Sequence, residues 1–160
     1  MALEHELGYT EPIRNHLQRS LLAIVLTGSQ LAKEADRLLR PFGLTEAQFN
    51  VLMLLKYQAD ENGSLNQTRL GRMLLVNRSN VTGLVDRMEE AGWVQRTAES
   101  GDRRVKLIGL TARGRKLVER AEEAYFQSID RLMDGIPRAE LERMESILEL
   151  LRSRTQQRQA

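Results

Sequence analysis

The spacing of apolar residues along this chain changes from helical to alternating at Gly92. Before it, residues 66–74 and 78–91 each carry apolar side chains at helical spacing, which predicts two short helices with a brief connection. After it, residues 94–98 and 105–110 alternate apolar and polar side chains, which predicts the two strands of a hairpin. Two short helices followed by a hairpin describe a winged helix-turn-helix.

Longer helical patterns flank this segment on both sides. Residues 13–40 predict one long helix, and Thr45 with Gln48 forms a capping box that begins the next. After the hairpin, Thr111 is placed to cap a helix that runs to about Asp134. We therefore expect a mainly α-helical chain with a small β-hairpin wing.

The first long helix predicts a second subunit. Its apolar residues step by three and four positions, the spacing of a helical seam, at Leu17, Leu21, Ile24, Gly28, Leu31, Ala35 and Leu38. Because further apolar residues widen this stripe, the helix needs cover on more than one side. A chain of 160 residues has few elements to supply that cover, so we expect a second subunit to pack against this helix.

The two ends of the chain carry weaker signals. The start of the chain is acidic without an apolar secretion segment, and no apolar run has the roughly 18 residues of a membrane span, which favours a cytoplasmic protein that does not associate with membranes. At the other end, Pro137 suits the first position of a last helix. Residues 153–160 are polar and are expected to fray, as is the N-terminus.

Charge is distributed unevenly along the chain. The formal net charge is only +2, yet residues 64–116 contain 11 Lys and Arg against 5 Asp and Glu. Arginine supplies 20 of the 24 basic residues, and its planar fork of donors suits phosphates and guanine edges. A solvated mixed surface would show the same imbalance, so charge by itself does not identify a partner.

The second short helix and the hairpin carry the residues suited to contact DNA. Short polar side chains at the N-terminal end of a helix fit a major groove, and basic side chains on a projecting hairpin fit the flanking backbone or minor groove. The helix candidates are Arg78, Ser79, Asn80, Thr82, Gly83 and Arg87. The wing candidates are Asp102, Arg103, Arg104 and Lys106, with Asp102 placed to hold Arg104 in one rotamer.

The sequence offers no recognisable set of residues for catalysis or for metal binding. The chain has no cysteine, which excludes disulfides, thiolate metal sites and cysteine nucleophiles. Its two histidines, His5 and His16, make a poor metal site, and no phosphate-binding loop or catalytic triad spacing occurs. We therefore predict neither an enzyme nor a bound cofactor. Met53 and Tyr57 lie one helical turn apart in the second helix, and packing in the core is the simpler interpretation of both side chains.

Five segments, in this order and spacing, carry a family resemblance: LTEAQF (44–49), LGRM (70–73), VTGLVDRMEEAG (81–92), DRR (102–104) and LTARG (110–114). Through them the chain resembles the MarR family of bacterial transcriptional regulators over about residues 13–152. Gly83 departs from the family pattern, which often places a larger, basic residue there.

The resemblance implies a homodimer that represses genes from a pseudo-palindromic operator in double-stranded DNA. It implies that residues 1–43 and 112–160 form a helical dimerisation region and that residues 44–111 form the winged helix-turn-helix lobe. It implies that Arg104 enters the minor groove, with Arg103 as the second candidate. It also implies release from DNA by a small aromatic or anionic effector, in a region of the fold that includes Met53 and Tyr57. Two other classes stay open on the residues alone: a helical protein–protein interaction module, and a small-molecule binding protein without DNA activity.

Overall fold

The computed structural model describes residues 3–74, 78–99 and 102–157, together with their side chains except those of residues 78–80, 98–99 and 102–105. In chain order the elements are α1 (Leu3–Glu6), α2 (His16–Leu39), α3 (Glu46–Tyr57), β1 (Ser64–Asn66), α4 (Gln67–Met73), α5 (Arg78–Glu90), β2 (Val94–Glu99), β3 (Asp102–Leu110), α6 (Ala112–Met133) and α7 (Arg138–Gln157). The fold is mainly α-helical with a winged helix-turn-helix lobe, as the periodicity predicts.

Local capping signals place the helix starts. The Thr45 hydroxyl accepts a hydrogen bond from the Gln48 backbone N–H, and the Gln48 side chain accepts one from the Thr45 N–H, which confirms the capping box. Asn66 caps α4 through the Thr68 N–H. The Thr111 hydroxyl accepts from the Gly114 N–H and begins α6. Asn77, a candidate cap for α5, lies outside the described residues.

The sheet has three antiparallel strands in the order β1-β3-β2. The predicted hairpin is present as β2 and β3, with Val94 opposite Leu110. The prediction lacked β1, whose Leu65 pairs with Ile108. A three-residue strand is too short to show an alternating pattern, and its partner lies more than 40 residues away in the chain, so only the tertiary fold creates it.

One hydrophobic core holds the lobe together. It is formed by the inner faces of α3, α4, α5 and the sheet, closed by the end of α2 and the first half of α6. Its largest fully buried side chains are Phe49, Leu39, Leu52, Leu55, Leu65, Leu70, Met88 and Ile108. Burying each of these contributes about 1.5–3 kcal/mol relative to exposure, which makes this core the main source of stability in the lobe.

Three helix boundaries differ from the prediction. The first long helix begins at His16 rather than residue 13, because the Asn15 side chain accepts hydrogen bonds from the backbone N–H groups of the first turn. The last helix begins at Arg138, and Pro137 precedes it, with its carbonyl accepting the first helical bonds. That helix continues to Gln157, so residues 153–157 are helical rather than frayed.

The segment Leu3–Glu6 also differs from the prediction, since it is helical and bonded to α2. It forms the short helix α1, and Glu4 receives a hydrogen bond from Arg19 Nε at 2.9 Å. Glu6 accepts another from Gln30 Nε2 at 3.1 Å. Both carboxylates therefore bind side chains of α2, which anchors α1 along that helix.

The chain divides into two compact units, residues 1–125 and residues 126–160. The first contains the lobe, α2 and the first half of α6. The second contains the end of α6 and α7, and no residue of α7 is buried.

Candidate nucleic-acid interface

Helix α5 has one buried face and one exposed polar face. Its apolar residues pack into the core at Val81, Leu84, Val85 and Met88. On the other side Thr82, Asp86 and Arg87 are exposed. This is the division expected of a helix that presents a polar face to a groove. The side chains of three further candidates, Arg78, Ser79 and Asn80, lie outside the described residues.

Helix α4 is packed closely against α5. A Cβ atom added at Gly71 would stand 3.3 Å from Val81 Cγ2, so the absence of a side chain there permits the close contact. The Gln67 amide donates a hydrogen bond to the Thr82 hydroxyl at 2.8 Å. Thr82 is thus oriented by α4 as well as exposed on α5.

Arg96 on β2 connects the hairpin to α5. One guanidinium nitrogen donates to Asp86 Oδ1 at 2.6 Å, and another donates to Glu89 Oε2 at 2.5 Å. The first nitrogen also lies 3.5 Å from the Thr82 carbonyl oxygen, and Glu89 Oε1 accepts from the Arg96 backbone N–H at 2.9 Å. Arg96 therefore spans two turns of α5 and fixes the orientation of the strand against the helix.

The charge states of this network are stabilised by its own contacts. Hydrogen bonds from the Arg96 backbone and guanidinium hold the pKa of Glu89 below its usual range, although partial burial acts in the opposite direction. Burial of the guanidinium disfavours its charged form and so acts to lower the pKa of Arg96. The hydrogen bonds to Glu89 and Asp86 outweigh that effect, and the pKa of Arg96 is raised. The Arg96 side chain is only 15% exposed, so the pair is shielded from solvent on one side.

The sequence prediction missed Arg96, although a signal for it exists. Val94 is buried and strand side chains alternate, so Arg96 lies on the same inward face. A cation at an inward position needs a carboxylate, and Asp86 and Glu89 stand three residues apart on the preceding helix. Asp86, which the helical pattern places on the polar face, serves this internal role.

Among the remaining wing and helix candidates, the surroundings of Lys106 and Gly83 are described. Lys106 is exposed on β3, opposite Ala98. The side chains of Asp102, Arg103 and Arg104 lie outside the described residues. At Gly83, an added Cβ atom would meet only Arg87 Nη1 at 3.6 Å, an ordinary contact.

Met53 and Tyr57 lie on α3, beside α6. Met53 is partly buried against the core. The Tyr57 hydroxyl donates to Glu122 Oε2 at 2.8 Å, and the Lys56 ammonium also bonds that carboxylate, which raises the pKa of Lys56. Tyr57 is 54% exposed, so its ring has an accessible face. Neither contact tests the prediction that these residues bind an effector.

Two features are absent from the part of the chain that the structure describes. Across residues 3–74, 78–99 and 102–157, no group of three metal-ligating side chains is brought together. None of the described helices combines the length and apolar character needed to cross a membrane.

Comparison with known proteins links this geometry to one family. The model of the MarR family matches residues 44–106, which is the lobe. The transcriptional repressor MprA of Escherichia coli is 28% identical over 129 residues, 81% of this chain and 72% of MprA. CouR of Rhodococcus jostii, solved with p-coumaroyl-CoA, is 29% identical with a TM-score of 0.74, over 87% of this chain and 95% of CouR. MepR of S. aureus, solved with DNA, is 26% identical with a TM-score of 0.74, and the match covers 89% of this chain and 98% of MepR.

Proposed function

We propose, since the chain belongs to the MarR family, that it is a sequence-specific DNA-binding transcriptional repressor. The observation that carries this is the Arg96 network, which holds the exposed face of α5 at a fixed angle to the hairpin. DNA recognition requires such rigidity, because a helix in the major groove and a wing in the adjacent minor groove must contact one duplex together. The solved complex of the relative MepR with DNA supports the same partner.

Helix α5 is the proposed recognition helix. Thr82, positioned by Gln67, contributes a hydroxyl to base edges or phosphates, and Arg87 contributes a cation one turn further on. At the N-terminal end, Arg78, Ser79 and Asn80 reach base edges while the free N–H groups of the helix attract phosphate. Because Gly83 has no side chain, the backbone of α5 can come close to the DNA at that position.

The hairpin is the proposed minor-groove reader. Arg104 enters the groove, where the negative potential favours a guanidinium. Asp102 holds Arg104 in place, Arg103 is the second candidate, and exposed Lys106 contacts phosphate.

The protein acts as a homodimer on a pseudo-palindromic operator, with half-sites about one helical turn, or ~10 bp, apart. Exposed apolar side chains on two long helices support this: Leu17 of α2 is 82% exposed, and Ile147 of α7 is 50% exposed. Along each of these helices further large apolar side chains are exposed, among them Leu21 on α2 and Leu150 on α7, and an exposed apolar face of this kind is typical of an interface. In this proposal residues 1–43 and 112–160 form the dimerisation region, and residues 44–111 form the lobe.

A small-molecule effector releases the repressor from DNA in the cytoplasm. The solved complex of the relative CouR with p-coumaroyl-CoA supports an effector that is aromatic and anionic. Met53 and the exposed face of Tyr57 are the proposed contacts. The role is regulatory, without a catalytic activity or bound cofactor.

The test is selection of bound duplexes from a random pool, followed by fluorescence anisotropy on the selected site at several salt concentrations. With ~6–10 phosphates neutralised, affinity falls by ~10³–10⁵ between 50 and 200 mM salt. Arg104→Ala and Arg87→Ala each weaken binding while circular dichroism shows an intact fold. Arg143→Ala, which removes an exposed arginine of α7, is the matched control and leaves affinity unchanged.

The result that contradicts the proposal is the absence of an enriched sequence, with binding at the same level as to random DNA. Capture of a protein partner by the lobe would then favour an interaction module. Thermal stabilisation by aromatic acids without any DNA binding would favour a small-molecule binding protein.

A further inference from the structure

The first residue of α4 reaches the exposed face of α5. The Gln67 amide nitrogen donates to the Thr82 hydroxyl at 2.8 Å, and Thr82 is exposed on that face. One turn further along α4, Gly71 lies close to Val81, which is fully buried, so this part of the helix packs against the inner side of α5. Gln67 therefore stands at the edge where α4 meets the exposed surface of α5.

The Gln67 amide has a hydrogen-bond donor that is left over from its bond to Thr82. An amide nitrogen carries two N–H groups, and the planar geometry of the amide allows only one of them to point at the Thr82 hydroxyl. With described residues, the bond to Thr82 is the one that this side chain forms. Every buried side-chain polar atom of the described residues has a partner, so the unused part of this half-buried amide is open to solvent. A molecule that docks on this face can therefore accept the second N–H.

Both ends of the Gln67 side chain are held in place. At the backbone end, the preceding residue Asn66 pairs with β3, and its side chain accepts a hydrogen bond from the Thr68 N–H at 2.8 Å. At the amide end, Thr82 is also held from the hairpin, since its carbonyl oxygen lies 3.5 Å from an Arg96 guanidinium nitrogen. A donor that is fixed before its partner arrives loses less side-chain entropy on binding.

The proposed placement of α5 determines what this donor meets, so the inference rests on the proposed function. A helix seated in a major groove lies between the two sugar–phosphate strands that border the groove. Gln67 belongs to the neighbouring helix and stands at the edge of α5, so its amide faces a bordering strand rather than the base edges. Glutamine side chains are among the donors that bind phosphate oxygens.

We infer that Gln67 is a further DNA contact, whose second N–H donates to a phosphate oxygen while the first holds the Thr82 hydroxyl. One amide thus joins the DNA backbone to a side chain of the recognition helix. The contact fixes the depth and the register of α5 in the groove without reading a base itself.

Fluorescence anisotropy of the full chain on its selected operator tests this in a Thr82→Val background. Valine keeps the shape of the threonine but lacks the hydroxyl, so any remaining effect of Gln67 cannot act through that group. There Gln67→Leu should weaken binding by about a further tenfold, because each dimer carries two copies of a neutral hydrogen bond. The selected base preference should not change between the two proteins, since a phosphate contact carries no sequence information.

Gln67→Glu alone sharpens the test, because it places a carboxylate against the same phosphate. Binding should be about tenfold weaker than for Gln67→Leu at ~50 mM salt, and the gap should narrow at ~200 mM because salt screens the repulsion. The matched control is Gln58→Glu, which adds the same charge at an exposed position at the end of α3. It should weaken binding less than about threefold, since a carboxylate without a phosphate contact is screened.

Three results would overturn this contact and leave the proposed function intact. The first is an unchanged affinity on Gln67→Leu in the Thr82→Val background. The second is a changed base preference in that pair, and the third is an equal loss for Gln67→Glu and Gln58→Glu. A selection that enriches no sequence would instead overturn the proposed function, and this contact with it. Circular dichroism of each variant checks that the fold is intact.

Discussion

The lobe buries its apolar residues, whereas the last helix leaves its apolar residues exposed to solvent. In the lobe, α3, α4 and α5 contribute fully buried side chains such as Phe49, Leu70 and Val85 to one core. In α7, the apolar residues at Met144, Ile147 and Leu150 are 43%, 50% and 50% exposed, and none of its residues is buried. Helix α2 shares this property over most of its length, with only Leu39 at its end buried.

This contrast indicates that the two regions draw stability from different sources. The lobe completes its core within one chain, so its unfolding should not depend on protein concentration. The long helices expose apolar side chains, so in the proposed homodimer their stability should rise with protein concentration, as expected for association by mass action. The following experiments test that difference.

The largest effect is expected from Phe49→Ala. Phe49 is 1% exposed, and its ring centroid lies 4.9 Å from that of Tyr125. Removing the ring leaves a cavity in the lobe and should lower the free energy of unfolding by about 3–5 kcal/mol, measured by urea denaturation. Tyr9→Ala, at an aromatic residue that is 49% exposed, should cost much less. A loss below about 1 kcal/mol for Phe49→Ala would show that the lobe core is not as described.

The next effect concerns the contact between α6 and the lobe. In Gly114→Ala, the new methyl group would meet the Trp93 carbonyl oxygen, and the backbone must shift. We expect a loss of about 2–3 kcal/mol in urea denaturation. Gly83→Ala is the control, since its methyl group meets only ordinary contact and it should gain up to about 1 kcal/mol of helix stability. Equal effects of the two substitutions would contradict the close packing at Gly114.

Leu21→Gln tests the long helices. Leu21 is 59% exposed on the predicted seam of α2. The variant should weaken dimerisation at least tenfold, or about 1.4 kcal/mol, in sedimentation equilibrium, where the dimer has twice the 18.3 kDa of the chain. Lys33→Gln, at an exposed polar position of α2, should leave dimerisation unchanged. If both variants dimerise like the unaltered protein, the seam is not the interface.

The smallest effect is a pH dependence within the lobe. Since the pKa of Glu89 is lowered in the folded state, the stability it contributes is present above the unfolded value of about 4.3 and is lost as the pH falls through the lower folded value. Glu89 is 39% exposed, so solvent screening limits the contribution to under about 1 kcal/mol. Glu89→Gln should be less stable than the unaltered protein at pH ~7 in urea denaturation, and the difference should shrink below pH ~4. A difference that is independent of pH would rule out the charged network as its source.

The sequence was informative wherever a signal is local. The caps at Thr45 and Thr111 are confirmed because a cap needs only a side chain and the N–H groups two or three residues further on. Membership of the MarR family is confirmed as well, since its motifs are short segments in a fixed order. The residues of the recognition helix and wing, among them Arg104, remain predictions that the DNA experiments above address.

Other features of the fold depend on groups that are distant in the chain and meet only after folding. Strand β1 exists because β3 offers it a partner, and Arg96 acts as a link because β2 folds back onto α5. Hydrophobic period and caps thus determine which elements form, because those interactions span one or two turns. Which side chains meet across elements is set by packing, which no local pattern encodes.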